Sequence, residues 1–154
     1  MDDYDGYAVH FIACDRVTGE VGAGLRLVLP HSPSFPCERI GGFDVTELTQ
    51  LPRERIAEIS RVCLLKSEAP GLHLVEANGR PARSLMRTSE MAGGLYRAAY
   101  AYTIQHGLSH WVGFTSPAMR RLLVSQNVEL TAIGRAYQHR GERRAGGRQN
   151  GRND

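Results

Sequence analysis

A chain of 154 residues with 42% hydrophobic content is long enough for one compact domain with its own core and too short for two. Its three cysteines are odd in number and widely separated, which argues against a disulfide framework, and no C-x-x-C pair predicts zinc. We therefore expect reduced and mainly buried thiols. Because many of the arginines lie after residue 134, the net charge of +3 belongs largely to the C-terminal tail.

We expect neither a membrane span nor a secretory signal. The apolar stretches fall far short of the roughly 18 residues that a membrane span needs. The opening residues, Met1-Asp2-Asp3-Tyr4-Asp5, lack the basic and apolar regions of a signal peptide, which predicts a cytoplasmic protein. The six histidines have no metal-ligand spacing, and the arginine-rich tail lacks interleaved aromatic residues. Neither a metal nor a nucleic-acid partner is expected.

The first elements are predicted to be strands. Alternating hydrophobic residues predict strands over 7–14 and 20–29, joined as an antiparallel hairpin by turn-forming residues. Three prolines and a Gly-Gly pair then predict a loop over 31–53, with at most a short helix over 45–50. A third strand, rich in Ile, Val and Leu, is predicted over 57–66.

The second strand has two unlike faces. Ala23 and Leu25 lie on an apolar face, whereas Gly22, Gly24 and Arg26 share a face that is bare apart from the arginine. Glycines inside a strand mark either the close approach of a ligand or a tight packing site. The sequence leaves both interpretations open.

The second half of the chain alternates between helices and strands. Its pattern predicts a loop over 67–88, a long helix from about 89 to 106 and a strand over 110–114. A helix capped by Ser116 should follow and end near 126. The rest is predicted as a strand over 128–133, with 137–140 as a possible partner, and a disordered tail over 142–154. Together the elements predict an α/β domain in which helices pack on a mixed sheet.

Several short motifs in order resemble one family of enzymes. They are Asp2-Asp3-Tyr4-Asp5, Val9-His10-Phe11, Leu25-Arg26-Leu27-Val28-Leu29-Pro30, Ala57-Glu58-Ile59-Ser60-Arg61, His110-Trp111 and Met119-Arg120-Arg121-Leu122-Leu123. This series resembles the acyltransferases associated with the PEP-CTERM/exosortase system, which are similar to long-chain N-acyl amino acid synthases and to acyl-homoserine lactone autoinducer synthases. The resemblance implies an acyltransferase domain over 1–141 that lacks the helical segment usual in relatives before the aspartates.

The resemblance implies an acetyltransferase-like (GNAT-type) fold with a mostly antiparallel sheet and flanking helices. It also implies that the chain moves a fatty acyl group from an acyl carrier protein or acyl-CoA thioester to an amine, with an amino acid as the first candidate and no bound cofactor. The phosphate-binding loop that usually precedes the long helix of acetyltransferases is not visible, which favours acyl carrier protein as donor. Its acidic surface could meet a set of arginines, namely Arg80, Arg83, Arg87, Arg120 and Arg121.

The resemblance also assigns site residues, and each has a structural alternative. Glu58 is the candidate general base, or else one half of an ion pair with Arg61 or Arg26. Ser60, two residues further along the same strand face, orients the acceptor or the leaving thiol, or is an ordinary strand hydroxyl.

The remaining candidates would bind substrates. Arg26 and Arg61, with Asp2 and Asp5, match a charged cluster that orders the acceptor side of the cleft in the autoinducer synthases, or they pin the N-terminus to the sheet. Gly22 and Gly24, next to the small-residue part of the long helix, would admit a long acyl chain.

Two other functions stay open. One is an acyl-homoserine lactone synthase that uses S-adenosylmethionine, against which the short N-terminus counts. The other is a truncated relative that binds acyl carrier protein or lipid without turnover. The sequence leaves the oligomeric state undetermined.

Overall fold

The computed structural model describes residues 2–16, 19–65 and 82–134, with 82–89 described through their backbone. The elements in chain order are a 3-10 turn (Asp5–Tyr7), β1 (Ala8–Cys14), β2 (Val21–Val28), α1 (Pro36–Gly41), α2 (Val45–Thr49), a second 3-10 turn (Arg53–Arg55), β3 (Ile56–Leu64), α3 (Ala82–Gln105), β4 (His110–Val112) and α4 (Pro117–Ser125).

The four strands form one sheet in the order β1-β2-β3-β4. β1, β2 and β3 are antiparallel neighbours, whereas β4 pairs with β3 in parallel. A parallel pair cannot be closed by a tight hairpin, and α3 lies in the long connection between β3 and β4. The described residues therefore form an α/β fold with a mixed, mostly antiparallel sheet.

One face of the sheet is covered by α3. Ala23, Leu25 and Leu27 of β2 are buried there against Leu95 and Ala99 of the helix. Alanines on α3 let the helix lie close to the strands, while the leucines supply the buried apolar area. Burial of a leucine side chain contributes about 1.5–3 kcal/mol. This face therefore holds a large share of the hydrophobic core.

The other face is covered at one end by α1 and α2. Val28 and Ile56 of the sheet pack there with Phe35 and Val45, and all four side chains are fully buried. Further along the same strands, the face changes from apolar to charged at Arg26. This face is therefore part core and part polar surface.

A single carboxylate organises the segment that contains α1 and α2. The Glu38 side chain accepts hydrogen bonds from the backbone N–H groups of Phe35 and Val45, at 2.6 and 3.0 Å. The Arg53 guanidinium donates to both Glu38 oxygens at 2.9 Å and lies 3.7 Å above the Phe35 ring. A carboxylate at the first turn of α1 also complements the helix dipole.

Helix ends follow the predicted signals. Gly107 has a φ of 67°, a left-handed conformation that glycine adopts without strain, and it lies two residues beyond Gln105, the last residue of α3. Ser116 caps α4 by accepting the Met119 N–H at 3.2 Å, and Pro117 is the first helical residue. Both predictions are confirmed.

Two helix predictions are wrong. Residues 31–53 contain α1 as well as α2, because Pro36 opens a helix at its first position instead of interrupting one. The long helix begins at Ala82, whereas its start was expected near 89. The intervening residues include Leu, Met, Arg and Ala, all strong helix formers, with no proline among them.

The predicted last strand is also wrong. Residues 128–133, all of them described, form no strand. The Val128 N–H instead donates to the Leu123 carbonyl at the end of α4, and Ile133 packs against the α1–α2 core. The possible strand at 137–140 and the tail at 142–154 lie outside the described residues.

None of the helices in the described ranges combines the length and the hydropathy that crossing a bilayer needs.

Candidate functional site

A buried arginine joins the N-terminal segment to the sheet. Arg26 of β2 is 3% exposed, and its Nη1 donates to Asp2 Oδ1 at 2.7 Å and to Asp5 Oδ1 at 2.9 Å. Its Nε donates to Ser60 Oγ of β3 at 3.0 Å. The ring of Tyr4 lies 5.8 Å from the guanidinium carbon. One side chain thus binds both predicted aspartates and the predicted serine.

Arg61 reaches the same aspartates because β3 contains a bulge. One residue of β2 lies opposite two residues of β3, Arg61 and Val62. Arg61 has a φ of 49°, a left-handed conformation that costs a residue other than glycine on the order of 1–3 kcal/mol. In regular alternation Arg61 would face α3 together with Ile59. The bulge instead places its Nη2 2.6 Å from Asp2 Oδ2 and leaves Val62 in the apolar core.

Asp5 is held in its ionised form. Its Oδ2 accepts the Asp2 N–H at 2.9 Å, and its Oδ1 accepts from Arg26. The backbone hydrogen bond and then the guanidinium lower the pKa of Asp5 from 3.8 to about 2. His10 Nε2 lies 3.7 Å from the same carboxylate. Asp2, Asp5, Arg26, Ser60 and Arg61, called here the charged cluster, therefore lie together, and the two aspartates and two arginines among them are the residues that the resemblance grouped.

Glu58 lies on the same face of β3 but deeper. It pairs with Val28 in the sheet register, is 2% exposed, and its Oε2 accepts the backbone N–H of Cys37 at 2.9 Å. Burial raises the pKa of Glu58, whereas the Cys37 donors and the Arg26 charge oppose that rise. A carboxylate whose pKa is raised by burial is a stronger base than an ordinary glutamate.

Cys37 was not among the residues singled out from the sequence. It lies in the first turn of α1, 21 residues from Glu58 along the chain, and it is 3% exposed. No local pattern joins the two positions, and the helix that brings them together was itself not predicted. The contact between the buried Glu58 carboxylate and the first turn of α1 is visible only in the tertiary fold.

The two predicted glycine positions do not share a face. A Cβ on Gly22 would lie 2.8 Å from Met91 Sδ, so this glycine lies under α3. A Cβ on Gly24 would lie 3.3 Å from Cys63 Sγ, on the opposite face. The register between β1 and β2 shifts at the start of β2, which breaks the alternation that the sequence suggested. The expectation of one bare face with both glycines is wrong.

The cysteines are less buried than expected. Cys37 is buried, but Cys14 and Cys63 are exposed, so the prediction of mainly buried thiols is wrong. All three are free thiols. Among the described residues, no group of three or more His, Cys, Asp or Glu side chains is arranged to hold a metal ion.

An unpaired edge of β3 begins where β4 leaves it. The two strands pair from Ile56 with His110 to Glu58 with Val112, and β3 continues alone on this side for residues 59–64 within the described part of the chain. At Gly113 a Cβ would collide with the Ile59 carbonyl oxygen. The absence of a side chain there lets the departing chain lie directly against β3.

Two open pockets lie elsewhere. One of about 440 Å³ is lined by residues that include His31, Tyr102 and His106, and the other, of about 570 Å³, lies beside Asp44 and Glu47. Neither is lined by Glu58 or by a member of the charged cluster. The charged cluster and Glu58 bring a buried carboxylate, two guanidinium groups and a hydroxyl together on one face of the sheet. We therefore take them as the candidate site.

The predicted carrier-protein contacts are only partly described. Arg120 and Arg121 of α4 are exposed. The side chains of Arg80, Arg83 and Arg87 lie outside the described residues.

Comparison with models of protein families, with curated proteins and with solved structures finds no match for this chain.

Proposed function

We propose that this chain is an N-acyltransferase of the acetyltransferase-like fold that moves a fatty acyl group from a thioester carrier to an amine. The observation that carries the proposal is the position of Glu58. It is a buried carboxylate with a raised pKa, and it shares a sheet face with Ser60 and Arg26 of the charged cluster. Aminolysis of a thioester needs a base, a binding place for the amine and polar groups around the carbonyl.

The charges of the cluster favour an amino acid as acceptor. Arg26 is buried, whereas the side chains of Asp2 and Arg61 are 37% and 51% exposed. These two side chains pair with each other through Asp2 Oδ2 and Arg61 Nη2, and the exposed sides of that pair would present one carboxylate and one guanidinium to an incoming molecule. A free amino acid carries an ammonium and a carboxylate, which pair with Asp2 and Arg61 respectively. A simple alkyl amine would use only half of this arrangement.

The reaction balances without a redox or metal co-reactant. The acceptor ammonium loses a proton to Glu58, and the free amine attacks the thioester carbonyl carbon to form a C–N bond. The tetrahedral intermediate then breaks its C–S bond. The departing thiolate takes up the second amine proton, which the Ser60 hydroxyl, two residues along β3 from Glu58, would pass to it. The products are an amide and a free thiol, with one proton held by Glu58 until solvent removes it.

The donor is proposed to enter along the free edge of β3. Beyond Glu58 this edge has no partner strand in the described part of the chain, and its amide and carbonyl groups suit the extended, amide-containing arm of a thioester carrier. The exposed Arg120 and Arg121 of α4 would meet an acidic carrier protein. Acyl-CoA is the alternative donor.

One observation favours a second candidate function. Glu58 is 2% exposed and is bound to the first turn of α1, as a purely structural carboxylate would be. A protein with that arrangement could bind an acyl carrier or lipid without turnover. The two candidates share the binding surface and differ only in chemistry.

Product analysis separates the candidates. The purified protein is incubated with palmitoyl acyl carrier protein and pooled amino acids, and products are identified by mass spectrometry. The proposal predicts an N-acyl amino acid and release of free carrier thiol in equal amounts. Binding of the carrier without any amide product would contradict it and favour the second candidate. Formation of an acyl-homoserine lactone when S-adenosylmethionine replaces the amino acids would identify an autoinducer synthase instead.

A further inference from the structure

A second exposed region lies on the face of the sheet opposite α3, next to the charged cluster. Ile12 pairs with Gly24, and Gly24 pairs on its other side with Cys63. The neighbours of Ile12 along β1, Phe11 and Ala13, pack in the core under α3, so Ile12 points to the opposite face. Its side chain is 64% exposed. Three neighbouring strand positions on this face therefore carry an exposed isoleucine, a glycine and an exposed cysteine.

This region extends to the start of β2. A Cβ on Gly22 would touch α3, so the preceding Val21 points to the opposite face together with its partner Cys14. On β3, Leu64 packs in the core under α3, and the next residue, Leu65, points away from it. Val21 and Leu65 are 47% and 53% exposed. The uncharged residues of this region are called here the apolar patch, namely Ile12, Cys14, Val21, Gly24, Cys63 and Leu65.

The size and shape of the apolar patch suit a single hydrocarbon chain. Gly24 leaves a shallow floor between the side chains of β1 and β3, and the distance along β2 from Val21 to Arg26 is about 17 Å at the usual rise of a strand. A contiguous exposed apolar patch marks a binding surface. A stable interface between protein chains takes roughly 20 to 30 residues a side, far more than this patch offers. A narrow ligand therefore fits it better than a second copy of the chain.

The charged cluster supplies a polar end to the apolar patch. Arg61 lies two residues before Cys63 along β3, and its side chain is 51% exposed although Nη2 pairs with Asp2. A guanidinium carries five N–H donors, so Arg61 can hold Asp2 and a second carboxylate at the same time. His10, which is 49% exposed, lies beside Asp5 at this end. The two aspartates of the cluster are matched by two guanidinium groups, so the cluster as a whole does not repel an anion.

We propose that the apolar patch and Arg61 together bind a single-chain amphiphile with a carboxylate head, with the head at Arg61 and the chain along β2 over Gly24. A fatty acid and an N-acyl amino acid share this chemistry. The proposal goes beyond acyl transfer, because an enzyme and a non-catalytic carrier could both bind such a molecule. It places the chain on the face opposite α3, whereas the sequence predicts a chain beside that helix.

The test measures binding to the full chain, without thioester or amine. Protein labelled with ¹³C at Ile, Leu and Val methyl groups is titrated with decanoate by NMR. The methyl signals of Ile12, Val21 and Leu65 should shift, and that of Ile104, which is 60% exposed on α3, should not. Hexanoate should bind at least about tenfold more weakly, since each fully buried methylene contributes about fourfold in affinity. N-decanoylglycine in place of decanoate distinguishes the two sources of the carboxylate, and tighter binding of either supports the site.

Substitutions separate the chain from the head. Ile12→Asn should weaken decanoate binding by about threefold or more, because it removes apolar area from the patch. Ile104→Asn, at a similarly exposed isoleucine, is the matched control and should leave decanoate binding unchanged. Arg61→Met should weaken the binding of decanoate and leave that of uncharged 1-decanol unchanged.

An absence of methyl shifts at the apolar patch would overturn the proposal. Equal losses in the two isoleucine variants would do so too, as would an equal effect of Arg61→Met on decanoate and 1-decanol. Self-association or binding to phosphatidylcholine vesicles that Ile12→Asn abolishes, without decanoate binding, would assign the patch to a second copy or to a bilayer and also overturn it. Because no acyl transfer is measured, the outcome is independent of the product analysis.

Discussion

The two faces of the sheet differ in polarity, although they are built from the same three strands. The face under α3 is apolar along its length, with Ala23, Leu25 and Leu27 buried against the helix. The opposite face is apolar only where α1 and α2 cover it, and beyond that point it carries Arg26 and Ser60. The first face therefore stabilises the fold, while the second combines a smaller core with the polar groups of the candidate site.

The largest loss of stability is expected on the α3 face. Leu27→Ala removes a fully buried side chain and leaves a cavity, which should cost about 2–5 kcal/mol in the free energy of unfolding. Urea unfolding measures the loss, with Ile12→Ala as control because Ile12 is 64% exposed on the same sheet. The acyl-transfer rate per folded molecule should stay unchanged. A loss of rate without loss of stability would contradict the division between the faces.

A somewhat smaller loss is expected from the buried guanidinium on the other face. Arg26→Met leaves Asp5 without its hydrogen-bonded guanidinium, with only Arg61 at 3.7 Å, and leaves Ser60 without its donor, at a cost of about 3 kcal/mol. This variant should also lose acceptor binding, because the N-terminal segment is no longer held against the sheet. Unfolding and acceptor titrations measured on the same protein check both effects. If Arg26→Met kept the stability of the wild type and its acceptor binding, Arg26 would not hold the N-terminal segment against the sheet.

Arg61→Met sharpens the contrast with Arg26. Its side chain is 51% exposed, and partly exposed ion pairs contribute at most about 1 kcal/mol. We therefore expect a nearly unchanged free energy of unfolding but weaker binding of amino acids, since Arg61 would pair with the acceptor carboxylate. Comparing amino acids with their decarboxylated amines tests this, because only the former should lose affinity. Equal weakening for both would remove Arg61 from the acceptor site.

The smallest effect is a pH dependence. The pKa of Asp5 is lowered on folding from 3.8 to about 2, so its ionised form stabilises the folded chain above pH 4. That contribution is lost as the pH falls from 3.8 towards 2. Asp5→Asn should flatten the slope of stability against pH in this window, measured by thermal unfolding. Asp3→Asn, at a side chain that is 91% exposed, is the control, and an equal change there would refute the assignment.

Local patterns predicted much of the fold, and long-range contacts account for the rest. The strands up to Leu64, the stop at Gly107 and the Ser116 cap follow from alternation and capping chemistry, which act over a few residues. The bulge at Arg61 and the register shift beside Gly22 arise from strand pairing, which no local pattern encodes. The failure at 128–133 has the same origin, because alternation does not show which partner a segment takes, and Val128 bonds to the end of α4 instead of to a strand.

The charged residues of the site were predictable from the sequence, but the burial of Glu58 was not. The motif that includes Glu58, Ser60 and Arg61 was recognised through a family resemblance, and their shared face follows from strand alternation up to the bulge. The contact of Glu58 with Cys37 joins positions 21 residues apart. It depends on α1, which was not predicted because the prolines in this segment indicated a loop. Burial of the carboxylate, which sets its chemistry, is therefore a property of the tertiary fold.

The central claim, that the charged face carries out acyl transfer with Glu58 as base, is tested most directly by Glu58→Gln. The amide keeps an acceptor for the Cys37 N–H, so the melting temperature should stay close to that of the wild type. Initial rates of acyl transfer from the thioester should fall by roughly 10²- to 10⁴-fold, with thioester binding nearly intact. A Glu58→Gln protein that melts early yet keeps the wild-type rate while folded would make Glu58 a structural residue and contradict the account.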